Sequence, residues 1–274
     1  MRDWHSKKIS NNIIKTTATS NVLSNNKMRD WHSKKTSNNI IKTTTTNTCN
    51  VLSNKESYNV GSLSDNNIYC FWTGTNKMSK QRKNSLKQFK KISQCNVILI
   101  TPYILNKYIL DKHPLHPSFE YLSETHKADY LRTYFMRFHG GGYSDIKKTT
   151  GSWLESFEKL KKNNKWIIGY KEIKGGVAYG PLANKWKELI GNCAYICKPN
   201  TPLVIEWYNE MMKLMDDKYI ELKKNPATFP QDCKEKSNYP IEWNEMLGRI
   251  FHKVLYKYKN KSLNTLPICI FHSY

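Results

Sequence analysis

The densest run of chemically capable residues is Lys127-Ala-Asp-Tyr-Leu-Arg-Thr-Tyr-Phe-Met-Arg-Phe-His-Gly-Gly-Gly-Tyr-Ser-Asp-Ile-Lys147. On a helix, Asp129 and Arg132 stand three residues apart, so a carboxylate and a guanidinium can act on one ligand from one face. Gly140, Gly141 and Gly142 allow a sharp turn and a close approach of backbone to a ligand. Tyr143 and Ser144 then form a short extended run that delivers Asp145 to a strand end. Open α/β sheets bind their ligands at such carboxyl ends. A carboxylate placed there suits ribose hydroxyls or a divalent cation that bridges phosphates. Taken singly, each of these residues suits a surface ion pair and a polar turn better than a site; the combination is harder to dismiss.

Short apolar runs alternating with helical patterns must position this stretch. Ile68-Tyr-Cys-Phe-Trp72 is rich in strand formers and ends at Thr73-Gly74. Asn96–Ile100 is a second buried-strand candidate, stopped at Pro102. Between them, Leu86, Phe89 and Ile92 give residues 80–92 a helical period. The pattern predicts a long helix over 119–138, with Leu122, His126, Tyr130, Thr133 and Tyr134 near one stripe and the glycines ending it. Ser152 caps a helix over 153–161, followed by strands at 165–169 and 192–197. Pro202 starts an amphipathic helix whose Leu203, Trp207, Met211 and Met215 read as a core face. A last helix over 241–258 and a terminal strand over 268–271 complete the series. Strands alternating with helices predict a three-layer α/β/α domain of about 215 residues.

The chain has 274 residues, 39% apolar and 12% aromatic, enough for a packed core. The first 54 residues hold a tandem repeat. Met1-Arg-Asp-Trp-His-Ser-Lys-Lys8 returns from Met28 to Lys35, and Ser10–Thr17 returns as Ser37–Thr44. Two polar copies are too few to bury a core of their own. Residues 1–57 are expected to be a disordered low-complexity tail ahead of a domain at 58–274; the alternative is a pair of docking motifs. Lys and Arg number 44 against 22 acidic residues, a net charge of +22, but only six are Arg. Lys, Asn and Ile come from A/T-rich codons, which points to a large DNA virus or a protist and discounts the charge as a nucleic-acid signal. The charge still favours anionic partners. The seven scattered Cys contain no Cys-x-x-Cys and suit a reducing compartment. No run approaches the roughly 18 apolar residues of a membrane span, and the basic start lacks the apolar segment of a secretory signal. A soluble, intracellular protein is the expectation, in the cytoplasm or in a host's cytoplasm if viral.

Residues 127–147 resemble the sugar-binding signature of GT-A glycosyltransferases in the DXD-containing group of capsular polysaccharide and α-mannosyl-type transferases. The large clostridial glucosylating toxins are similar to that group. Its pattern runs Ser/Ala-Asp-x-x-Arg, an apolar helix, Gly-Gly-x-Tyr, then Asp-x-Asp. Ala128-Asp129, Arg132, Gly140-Gly-Gly-Tyr143 and Asp145 match in order. Ile68–Gly74 is similar to the family's first strand, which usually ends in Trp-x-Gly. The likeness is firm over residues 68–150, loose over 150–274 and absent from the repeats.

The resemblance implies transfer of a sugar from a UDP- or GDP-linked donor to a carbohydrate, glycan or glycoprotein acceptor, with retention of anomeric configuration. It implies that Asp129 and Arg132 bind the ribose, sugar or phosphate side of the donor, and that Asp145 binds ribose and any metal. Trp72 would stack on the base and Tyr143 would pack beside the donor. His272 and Asp232 are candidate late contacts to phosphate or metal. Gly180, in Gly175–Pro181, and Asn192 suit the acceptor side. The family's second carboxylate, which helps hold Mn²⁺ or Mg²⁺, is replaced by Lys147. Three readings stay open: a metal site reduced to Asp145 plus ligands elsewhere, a metal-independent transferase, or a binding-only relic. A basic nucleic-acid module ranks behind these, because the lysines are spread along the chain. No catalytic nucleophile is evident.

The change of texture near Ser57 generates a first prediction. Deleting residues 1–54 leaves the melting temperature and nucleotide binding of the remaining chain within error of the full chain. A large drop in either on a thermal melt would place the repeats in the fold.

Overall fold

The computed structural model describes residues 63–271. The repeats, the boundary near residue 57 and His272 lie outside the described residues. Strand β1 (Asn67–Phe71) leads to helix α1 (Lys80–Ser93) and strand β2 (Asn96–Ile100). The Ser79 hydroxyl accepts the Arg82 N–H at 3.2 Å, which caps α1, and Gln94 ends it in a left-handed conformation. A short helix α2 (Pro102–Leu105) and a 3-10 turn (Pro117–Tyr121) precede α3 (Glu124–Phe138).

The long helix expected from residue 119 is thus broken. Leu122 and Ser123 are extended, and the Ser123 hydroxyl accepts the His126 N–H to start α3 afresh. Nor is α3 amphipathic: ten of its fifteen residues are buried, on every face. A helix wrapped on all sides by protein has no solvent stripe to display.

Strands β3 (Gly141–Ser144) and β4 (Lys148–Thr149) follow, then α4 (Leu154–Lys162), β5 (Ile167–Lys171) and β6 (Ile190–Cys197). The chain continues through α5 (Pro202–Lys224), α6 (Ile250–Lys257), β7 (Ser262–Leu263) and β8 (Cys269–Ile270). The helix expected over 241–258 opens instead as a π turn, Glu245–Arg249. The terminal strand pairs with β4 in a separate antiparallel ribbon rather than joining the main sheet.

That sheet has the order β2-β1-β3-β6-β5-β7. Strand β1 is parallel to both β2 and β3, whereas β6 runs antiparallel to β3 and β5. Side chains alternate across it as the two-residue period requires. Tyr69, Phe71, Tyr195 and Cys197 join the apolar cluster beneath α3, α5 and α6. Ile68, Cys70, Ala194 and Ile196 join a second cluster with α1 and α4. The result is a three-layer α/β/α domain, in which Leu203, Trp207, Met211 and Met215 are core residues as expected. Among the described residues, no helix is long and apolar enough to cross a membrane.

The reversal between α3 and β3 depends on glycine. Gly140 and Gly141 have φ of +64° and +86°, the region that L side chains rarely adopt. A Cβ on Gly141 would also stand 2.8 Å from the Asn67 carbonyl oxygen, in the backbone of β1. Gly141→Ala should therefore destabilise the protein by about 1–3 kcal/mol in urea unfolding. Gly180→Ala, whose Cβ would meet nothing within 4 Å, should change stability by no more than about 0.5 kcal/mol. Equal effects would show that the reversal does not need Gly141.

Candidate functional site

The chain leaves β1 toward β2 on one side and returns to β3 on the other, so the carboxyl ends of β1 and β3 flank a topological switch point. A cleft of about 940 Å³ opens there, the size of a small-molecule site. Trp72 follows β1 and Asp145 follows β3 on its walls. Helix geometry brings Arg132 to the same level. From Arg132 to its end at Phe138, α3 rises about 9 Å, and His139 and Gly140 carry the chain through the reversal. Four residues of strand, from Gly141 to Asp145, run about 13 Å back.

The floor is a row of alternating charges. Arg132 Nη2 stands 3.3 Å from Asp129 Oδ1 and 3.1 Å from Asp145 Oδ1. Its Nη1 donates to the Asn192 carbonyl at 3.2 Å, and its guanidinium lies 4.4 Å from the centre of the Tyr143 ring. The Tyr143 hydroxyl donates to Asp145 Oδ1 at 2.6 Å. Lys147 Nζ donates to Asp145 Oδ2 at 2.8 Å and to Cys193 Sγ at 3.4 Å. Arg132, Asp129 and Lys147 are all buried. Arg132 Nε is buried without a hydrogen-bond partner, and so is Glu124 Oε2.

The two carboxylates differ sharply. Burial pushes the Asp145 carboxyl up. Arg132, Lys147 and the hydrogen bonds from Lys147 and Tyr143 outweigh it and hold the group well below the ordinary carboxylate range. Burial pushes Asp129 up to about 7, against the opposing Arg132 charge and with help from Asp145. For Arg132, burial works against the cation, but Tyr143, Asp145 and Asp129 more than offset it.

Trp72 is half-buried, and its Nε1 donates to the Asn76 carbonyl at 2.9 Å. Asn192 joins the lining of the cleft beside Cys193. Gly180 does not: it is exposed and opens a 3-10 turn, Gly180–Glu188. Asp232, expected as a late contact, is buried within its own loop. It accepts from the Thr228 N–H, the Thr228 hydroxyl and the Ser237 hydroxyl, at 2.9, 3.1 and 2.7 Å. Its neighbour Gln231 lines the cleft instead. Among the described residues, no group of three or more His, Cys, Asp or Glu is placed to hold a metal ion.

Other lining residues escaped the sequence reading. Phe229 and Trp243, 40% and 46% exposed, are large aromatics on the wall contributed by the segment between α5 and α6. Arg82 enters from the first turn of α1 and donates to the Ile146 carbonyl at 3.2 Å. The available signals were Phe229 before Pro230, Trp243 between Glu242 and Asn244, and the scarcity of Arg.

The raised Asp129 carboxyl has a measurable consequence. Between about 4, where the unfolded group titrates, and about 7, the folded protein holds a proton that the unfolded chain has lost. Native stability therefore falls as pH rises through that window. Asp129→Asn removes the ionisable group and with it this slope. Denaturant unfolding at pH 5 and pH 8 should show the native protein losing on the order of 1–3 kcal/mol relative to the variant. Parallel pH profiles would mean that Asp129 stays ionised throughout.

No family model and no curated protein matches the chain. Among solved structures it is similar to one described as "PaToxG Glycosyltransferase", at a TM-score of 0.43 and 16% identity, covering 71% of this chain and 69% of that one.

Proposed function

We propose that the protein is a GT-A glycosyltransferase that uses a nucleotide-sugar donor. One observation carries the reading: a buried guanidinium, Arg132, bridges two carboxylates on the floor of an open cleft at the carboxyl ends of two adjacent parallel strands. Arg132 retains an unpartnered buried Nε, and a buried donor without a partner is expensive unless a ligand supplies one. The motif that carries the family resemblance consists of these same residues.

In this reading Trp72 stacks on the base of a UDP- or GDP-linked sugar, a contact worth about 1–3 kcal/mol. Asp129 and Asp145 accept from ribose or sugar hydroxyls, and Arg132 faces the phosphates. The acceptor is a carbohydrate, glycan or glycoprotein; Phe229 and Trp243 offer its sugar rings apolar faces. The bond between the anomeric carbon and the diphosphate oxygen breaks, its electron pair leaving with the diphosphate. The acceptor oxygen bonds that carbon from the same side, so configuration is retained, and its proton passes to the departing diphosphate. The chain's part is to hold acceptor and departing diphosphate on one face of the anomeric carbon and to offset the developing charge. No residue of the chain is assigned as a nucleophile in this reading.

A panel of UDP- and GDP-sugars should raise the melting temperature by mass action, and one of them should be slowly hydrolysed. Arg132→Lys keeps a cation between the carboxylates but loses the planar fork. It should fold and bind that donor at least about tenfold more weakly. Binding without hydrolysis or transfer under any condition would identify a nucleotide-sugar-binding relic of the same fold. No stabilisation by any member of the panel would refute the reading.

A further inference from the structure

Resting on that reading, we propose that Lys147 and Arg132 hold the donor's diphosphate directly, without a divalent cation. They would do the work that the resembled family gives to a metal. The donor set around Asp145 does not suit a cation. Its Oδ1 already accepts from the Tyr143 hydroxyl at 2.6 Å and is ion-paired with the Arg132 guanidinium at 3.1 Å. Its Oδ2 accepts the Lys147 ammonium at 2.8 Å. A Mg²⁺ at its usual distance of about 2.1 Å from a carboxylate oxygen would have to share Oδ2 with that ammonium, like charge against like.

Among the described residues, no group of three or more His, Cys, Asp or Glu is placed to complete a site, and Glu124, on the cleft wall, pairs through Oε1 with Lys127. The position two residues after Asp145 is the lysine itself. Asp129, also in the cleft, is tied to Arg132 at 3.3 Å, and Asp232 is spent on Thr228 and Ser237. A bivalent oxygen cage therefore has one competing, already neutralised ligand to start from.

The cations, by contrast, are built in. The Lys147 side chain is 8% exposed and lines the cleft. A tight turn fixes it, in which the Lys147 N–H donates to the Asp145 carbonyl at 2.7 Å. The Asp145 N–H in turn donates to the Cys193 carbonyl at 2.8 Å, which anchors the turn to β6. Asp145 thereby becomes the group that aims Lys147, as a carboxylate aims a catalytic base, rather than a metal ligand. Arg132 adds a second buried cation whose Nε is unpartnered. Fixed cations at a departing diphosphate need no reorganisation as charge develops there.

The test is a calorimetric titration of UDP, GDP and their monophosphates into the full chain, in EDTA and in Mn²⁺. Diphosphate affinity should agree within about threefold between the two buffers and exceed that of the monophosphate in both. Lys147→Met, which keeps the stem and removes the charge, should weaken diphosphate binding by roughly ten- to hundredfold. The same variant should leave monophosphate binding nearly unchanged. Lys147→Asp should lose diphosphate binding in EDTA and regain it with Mn²⁺, because two carboxylates can then share a cation. Native binding that appears only with Mn²⁺ would overturn the proposal and leave the transferase reading standing. So would a Lys147→Met protein that binds diphosphate normally. The native titrations decide even if both variants misfold. No binding of any nucleotide in either buffer would overturn the transferase reading and this one together.

Discussion

The guanidinium of Arg132, buried between Asp129 and Asp145, is the constraint on which the site depends. Two carboxylates and a lysine would be intolerable at this depth unless each charge faced an opposite one. Removing one member of such a buried set typically costs about 3–5 kcal/mol, because it strands the others. The surrounding architecture supplies what the row needs. The glycine reversal sets Arg132 level with Asp145. The antiparallel strand β6 offers the Asn192 carbonyl to Arg132 and the Cys193 carbonyl to Asp145. Tyr143 serves twice, as a ring under the guanidinium and as a hydroxyl on Asp145. Fold and site are here the same set of contacts.

Such an arrangement favours arginine at one position and permits lysine at the other. Arg132 makes contacts in several directions at once, which a planar fork can do and a point charge cannot. Lys147 Nζ donates to Asp145 Oδ2 and Cys193 Sγ and lies 5.1 Å from the centre of the Phe271 ring. Most other paired lysines of the described domain behave differently. Lys162, Lys185, Lys253 and Lys257 meet glutamates at the surface, where a pair contributes about 0–1 kcal/mol. A composition rich in lysine thus says little by itself; burial in the cleft is what sets Arg132 and Lys147 apart.

The sequence exposed what is local. β2 and the start of α1 are legible in a short apolar run and a period of 3.6. So is the path from Asp129 through the glycines to Asp145, since helix spacing and strand rise are properties of adjacent residues. Strand direction is not encoded in that way: an alternating apolar run reads alike whether β6 runs with β3 or against it. The break at Ser123 was hidden because flanking aromatics continue the apolar pattern across it. The far wall was the least legible part. Phe229, Trp243 and Leu247 reach the cleft only because α5 carries the chain away and the segment beyond it folds back. Asp232 shows the converse, a carboxylate in a suggestive place whose oxygens its own loop consumes.

The charge row also bears on how an anion would be received. With Asp129 ionised, two carboxylates and two cations leave the floor formally neutral, and attraction must come from the rim, where Lys77 and Arg82 stand. With Asp129 protonated, the floor gains one net positive charge directly beneath the cleft. Because burial brings that carboxyl to about 7, both states are accessible near neutrality. A diphosphate bound as proposed would add negative charge beside Asp129 and favour its protonated form, which would free more of Arg132 for the phosphate. Under the proposed binding, proton uptake and anion binding would be linked through one guanidinium, because Asp129 and the phosphate would share Arg132.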